Sequence, residues 1–203
     1  MLDGRLVAFV LESLPPAPAR GLEVGAGAGE LAEDLGQRGY DVVAIDPASE
    51  TPQVRAVPLH EIEASDGSFD AALAVLSLHH VEPLAESCER LGSVVRRGGL
   101  LVIDEFDLAR LDLVAARWWA SHAPVDDAHE MDPEAIVAHM REHLHPLGRI
   151  LQALEPWFDF CEPARGPYLY RWKLGPHLRV AEQRDIERGR LPATGAHVVG
   201  RRR

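Results

Sequence analysis

Apolar and polar residues along this chain follow two rhythms. Leu2, Leu6, Phe9, Val10 and Leu14 recur at helical spacing and Pro15-Pro16 ends the run, which predicts a leading helix within residues 1–18. Short apolar runs follow, at Leu22–Val24, Asp41–Pro47, Val54–Val57, Ala71–Leu78 and Leu100–Ile103, and these read as buried strands. Between them, Gly29–Gln37, stopped by Gly39, and Glu82–Val95, broken by Gly98-Gly99, read as helices. Strand alternates with helix, so the predicted class is α/β, a doubly wound and mostly parallel sheet.

After Asp107 the rhythm changes. Leu111–His122 is bulky and apolar, Asp132 with Pro133 makes a helix start, and Leu147–Leu154 reads as another helix. Ile186–Gly200 is expected to supply the last strand.

With 203 residues, the chain fits one domain, residues 1–203, with enough length to bury a core. No run approaches a membrane span, and the start lacks the basic-then-apolar pattern of a signal peptide, so a cytoplasmic protein with no membrane partner is expected. Cys88 and Cys161 are too few for a disulfide framework or a zinc site, and both read as reduced and structural. The net charge of −11 argues against a nucleic-acid partner. From Arg165 onward, however, ten Lys/Arg stand against three Asp/Glu, and the terminal Arg201-Arg202-Arg203 reads as a solubilising tail.

The chemistry concentrates in Glu23-Val24-Gly25-Ala26-Gly27-Ala28-Gly29-Glu30, where a strand runs through three alternating glycines into a helix. Such a turn leaves backbone bare, and a ligand there is expected to lie against peptide N–H groups. A dinucleotide loop reads G-x-G-x-x-G, and here Glu30 stands where the third glycine belongs. Asp46 follows seventeen residues after Gly29, at the end of the second strand, where an open α/β sheet places its ligand.

The succession Leu22-Glu23-Val24-Gly25-Ala26-Gly27-Ala28-Gly29, Val43-Ala44-Ile45-Asp46, Ser68-Phe69-Asp70 through His79-His80-Val81, and Arg97-Gly98-Gly99 through Ile103 resembles the class I S-adenosylmethionine-dependent methyltransferases of small molecules. The resemblance covers about half the chain. It implies a Rossmann-like sheet of seven strands with a final antiparallel pair, for which Trp157–Glu162 and Ala196–Val199 are the candidates, and a helical lid over the acceptor inserted between strands five and six, here residues 108–156. It implies S-adenosylmethionine as cofactor and S-adenosylhomocysteine as product. Gly25, Ala26, Gly27 and Gly29 would approach the methionine part, Glu23 would hold its ammonium, Asp46 with Pro47 would meet the ribose, and Ser77 would present its carbonyl. The family's adenine-binding Asp is absent. Pro58 stands near that position, which leaves the adenine to Leu59, His60 and backbone.

The acceptor is expected to be a small apolar or aromatic molecule, with Trp118, Trp119, Trp157, Phe158, Tyr168, Tyr170 and Trp172 as the aromatics to test for its pocket. His80, and less so His79, lie just past the fourth strand where a base is useful for a protonated acceptor. His122, His129, His139, His143 and His145 cluster in the lid segment, and His139 and His143 share a helical face, yet no zinc signature surrounds them and no metal is assigned. Two rivals stay open: a nucleotide-dependent oxidoreductase, and a non-catalytic module that keeps the fold for binding.

Overall fold

The computed structural model describes residues 3–124 and 132–203. Leu2 of the leading helix, and the stretch after Pro124 that contains His129, lie outside the described residues.

Helix α1 (Gly4–Ser13) begins at Asp3, whose side chain accepts from the Arg5 amide, and buries Leu6 and Val10. Strand β1 (Arg20–Val24) pairs in parallel with β2 (Asp41–Ile45) and with β3 (Phe69–Val75), and α2 (Glu30–Gln37) connects β1 to β2. Helix α3 (Leu84–Val94) leads into β4 (Val95–Phe106), which is parallel to β3. Helices α4 (Leu113–His122), α5 (Pro133–His143) and α6 (Leu147–Leu154) follow in the expected insertion. Strands β5 (Phe158–Phe160) and β6 (Ala164–Gly166), helix α7 (Arg179–Glu187) and strand β7 (Gly195–Arg202) complete the chain. The sheet has seven strands in the order β2-β1-β3-β4-β7-β5, with β6 also on β7, and β7 runs antiparallel to its neighbours.

The α/β class and the mostly parallel seven-stranded sheet are as expected, but the strands are not all those anticipated. Val54–Val57 is no strand: it makes one parallel bridge, Ile45 to Arg55, because Pro52 and Pro58 bracket it and neither can donate to a ladder. The seventh strand comes from the other edge, where β5 and β6 both pair with β7. Gly98-Gly99 is not where α3 stops: the helix ends at Val94, and the pair lies inside β4. The pair forms a bulge, with Phe69 opposite Val95 and Ala71 already opposite Leu100. Arg202 is no tail residue: it lies in β7, its guanidinium 4.7 Å from the centre of the Trp157 ring and donating to the Gly92 carbonyl at 2.6 Å.

One sheet face buries Leu22, Ile45, Ala72 and Leu101 under α3 and α6, and the other buries Leu73 and Val102 under α1 and α2. A further cluster joins α4 and α5 to Phe106, Tyr168 and Leu191. The buried Glu182 on α7 accepts from the amides of Tyr168, Leu169 and Tyr170 at 2.7–2.9 Å and so fixes the turn that carries these aromatics. Cys88 is buried, which pushes its thiol up to about 12, and Cys161 is exposed; both are free thiols.

Candidate functional site

The C-terminal ends of β1, β2 and β3 converge on a cleft of about 410 Å³, lined among others by Gly25, Asp46, Leu59, Ser77, His80 and Glu82. Its position follows from topology: successive parallel strands leave a crevice at their carboxyl ends. Gly25, Gly27 and Gly29 all have positive φ (70°, 56° and 81°), which no ordinary side chain adopts without strain. They differ in what surrounds them. A Cβ on Gly25 would meet Ser77 Cβ at 2.3 Å, and one on Gly29 would meet Val54 at 2.9 Å, so these glycines let the loop pack against its own fold. A Cβ on Gly27 would meet nothing within 4 Å. Gly27 is the loop position that faces open space.

The loop's amides are largely spent internally. Gly25 and Ala26 donate to the Ile45 carbonyl at 2.9 and 3.0 Å, and Gly29 donates to the Ala26 carbonyl at 2.8 Å. Gly27 donates to Asp46 Oδ2 at 2.9 Å. The expected row of N–H groups free for a ligand is therefore not what the loop presents. A pyrophosphate needs such donors, whereas a neutral or cationic ligand does not. Asp46 also accepts from the Ala48 amide at 2.9 Å, and Ser49 Oγ donates to the Gly27 carbonyl at 2.7 Å. Two hydrogen bonds leave about half of a carboxylate's four or so lone-pair sites on Asp46 for a ligand.

Glu23 lies behind the loop and outside the cleft wall, 4% exposed. Burial pushes its carboxyl up to about 7, only partly offset by the Ala32 amide at the start of α2, and its Oε2 has no partner. Leu59 lines the cleft with Val57 and Pro58, an apolar wall, and Pro47 is also in the lining. The side chain of His60 is not brought into the cleft. It lines a surface groove with Arg90 and Trp157 and stands 3.4 Å from Glu61, because neighbouring side chains of the short 3₁₀ helix Leu59–Glu61 point about 120° apart.

Past β3 the chain turns sharply at Leu76, whose φ of 51° is rare for a leucine and whose amide donates to the Asp104 carbonyl at 2.8 Å. The turn delivers Ser77, His79 and His80 in three different roles. Ser77 is buried, its Oγ unpartnered and its carbonyl accepting from the His80 amide at 3.1 Å. His80 is exposed at the cleft, and partial desolvation there, reinforced by the neighbouring His79, lowers its pKa below the ordinary value, which favours the neutral ring. His79 is buried and bonds through Nδ1 to Glu105.

Glu105 was given no role from sequence. It is fully buried, accepts from the amides of Leu78 and Phe106 at 3.0 Å each, and holds the His79 ring. The rings of His79 and His80 lie 4.3 Å apart. The joint between α5 and α6 is tied to the same turn, with the His145 amide on the His79 carbonyl at 2.9 Å and His145 Nε2 at 3.1 Å from the Val81 carbonyl.

The aromatics expected around an acceptor do not line this cleft. Trp119 is buried against Trp172, Tyr168 stacks on Phe106, Phe158 is in the core under α3, and Trp157 packs over Gly92. Trp118 donates to Asp185 at 3.1 Å, and Tyr170 donates to Asp3 at 2.8 Å. Their bulk builds the core that carries the insertion. Among the described residues no three His, Cys, Asp or Glu side chains converge on a common point, and the rings of His139 and His143 lie tilted against each other, 4.3 Å apart.

This arrangement is that of a methyltransferase-type sheet, and comparison with known proteins places the chain in that class. The family described as Methyltransferase domain matches residues 2–143. A ubiquinone biosynthesis O-methyltransferase of Xanthomonas oryzae pv. oryzae is 31% identical over 177 residues, 73% of this chain and 72% of that protein. An uncharacterized methyltransferase of Mycobacterium tuberculosis is 39% identical over 98 residues, 43% of this chain, and the match spans only 40% of that relative's length. A solved S-adenosylmethionine dependent methyltransferase from Mesorhizobium loti has a TM-score of 0.63 at 16% identity, covering 98% of each chain, which shows the shared fold. The chain belongs to the methyltransferase-domain family, and the resemblance to the class I S-adenosylmethionine-dependent enzymes holds.

Proposed function

We propose that the chain binds S-adenosylmethionine in the cleft and transfers its methyl group to an oxygen of a small acceptor. Gly27 carries the reading: its amide is tied to the Asp46 carboxylate while the space beyond its Cα stays open. A ribose and an amino acid fit beside such a corner, since Asp46 retains acceptor capacity for hydroxyl donors and the loop has no free amide row that would call for phosphate.

Val57, Pro58 and Leu59 would flank the adenine, and His60 would not take part. Glu23, half protonated near neutral pH and carrying an unpartnered oxygen, would balance an ammonium group from behind the loop. The bound cofactor supplies a methyl group already activated by a sulfonium. The chain's remaining tasks are to align the acceptor and to accept its proton.

His80, exposed at the cleft and favoured in its neutral form, is the base of this account. His79 is a positioning residue, held by Glu105 and lying against the His80 ring. An oxygen acceptor is supported by the relatives named as ubiquinone biosynthesis O-methyltransferases, which align over 73% of the chain. The aromatics do not line the cleft, so this reading draws no acceptor wall from them. Residues 1–203 are read as one domain and 108–156 as the segment that covers the acceptor.

Isothermal titration calorimetry tests the cofactor. S-adenosylhomocysteine is expected to bind at one site and NAD to give no saturable heat. Binding of NAD without S-adenosylhomocysteine would overturn the reading in favour of an oxidoreductase.

A further inference from the structure

A second cavity, of about 200 Å³, lies between α1, β6, the turn that carries Tyr170 and Arg171, α7 and the start of β7. Its floor includes Asp104, the neighbour of Glu105 on β4. Alternation along the strand turns Asp104 to one face of the sheet and Glu105 to the other. The two cavities share no lining residue.

In a chain of net charge −11, four arginines converge here: Arg5, Arg165, Arg171 and Arg179. The two carboxylates among them are already engaged. Asp3 accepts from the Arg5 amide at 2.9 Å and from the Tyr170 hydroxyl at 2.8 Å. Asp104 takes Arg171 at 2.5 Å and lies 3.3 Å from His197 Nε2. Arg165 is spent on Asp107. The guanidiniums of Arg5 and Arg179, by contrast, enter no close ion pair among the described residues; Arg179 feels Asp3 and Glu182 only at longer range and lies 6.0 Å from the centre of the Tyr170 ring.

Both carboxylates of this cavity are engaged, then, while the guanidiniums of Arg5 and Arg179 have no ion-pair partner within contact distance among the described residues. A ligand that completes it brings an anionic acceptor. The nearby carboxylates Asp3 and Asp104 repel a dianion, and Leu6, Pro167, Ala196 and the Tyr170 ring supply an apolar wall. The volume lies below the 300–1,000 Å³ or so typical of drug-sized ligands, so the body is small.

We propose that this cavity binds a small organic carboxylate, its carboxylate on Arg179 and Arg5 and its apolar part against Leu6, Pro167 and Tyr170. Binding here is independent of the cofactor reading. The test is calorimetry on the full chain with benzoate as probe, benzamide as its uncharged counterpart and inorganic phosphate as the rival anion.

Benzoate is expected to bind saturably, benzamide not, and Arg179→Gln or Arg5→Gln to weaken benzoate at least tenfold while S-adenosylhomocysteine affinity stays unchanged. Arg5 sits at the exposed start of α1, so its variant keeps the test open if Arg179→Gln misfolds. No saturable benzoate binding below about 10 mM, equal affinity in both variants, or preference for phosphate would each overturn the proposal.

Discussion

Glu23→Gln probes the strand behind the glycine loop through pH. The carboxyl titrates at about 7 in the folded chain against an ordinary 4.5, because burial penalises its charged form and the Ala32 amide offsets only part of that cost. Between those values the folded chain keeps a proton that the unfolded chain has lost. Stability therefore falls as pH rises from about 4.5 to about 7 and is level above that. A single proton across this window amounts to about 3 kcal/mol. Glutamine removes the titration and keeps an acceptor for the Ala32 amide.

Urea unfolding of both proteins at pH 5, 6, 7 and 8 is the assay. The stability of the variant minus that of the wild type should rise by roughly 2–3 kcal/mol from pH 5 to pH 8, with most of the change below pH 7. Parallel pH profiles for the two proteins would refute the assignment of a buried, largely unpaired carboxyl at this position.

Two further outcomes follow from packing and pairing. Glu105→Ala leaves the amides of Leu78 and Phe106 and the His79 ring without their partner, and should cost about 3–5 kcal/mol by chemical denaturation. Glu105→Gln keeps an oxygen acceptor for those amides and should cost less stability than Glu105→Ala; an equal loss in the two variants would contradict the geometry. Gly92→Ala would place a Cβ 2.3 Å from the Trp157 ring and should lower stability by about 1–3 kcal/mol with S-adenosylhomocysteine affinity unchanged; an equally stable variant would show that Trp157 does not seal α3.

What was legible in the sequence was local. Alternating glycines after a strand, and a carboxylate closing the next one, encode their own backbone and end up as neighbours, with Gly27 on Asp46 across nineteen residues. The α/β order was legible for the same reason, since each strand and helix announces itself by its own rhythm. Pairings across long separations were not. Glu105 meets His79 across 26 residues, and Arg202 reaches Gly92 across 110, so neither partner marks the other locally. His60 and the tryptophans show a different limit. Their residue types suggested a binding wall, but which way each points depends on a short helix and on a core assembled from the insertion and the C-terminal turn. The bracketing prolines around Val54–Val57 were visible, and they outweighed the apolar run they enclose.

The cofactor assignment turns on the corner formed by Gly27 and Asp46. S-adenosylhomocysteine titrated calorimetrically into wild type, Gly27→Arg and Asp46→Ala measures it directly, with circular dichroism to establish that each variant is folded. Gly27→Arg fills space that is open in the fold, and Asp46→Ala removes the carboxylate at the rim. Each should weaken binding more than tenfold, about 1.4 kcal/mol or more. Wild-type affinity in both folded variants would contradict the cofactor site described.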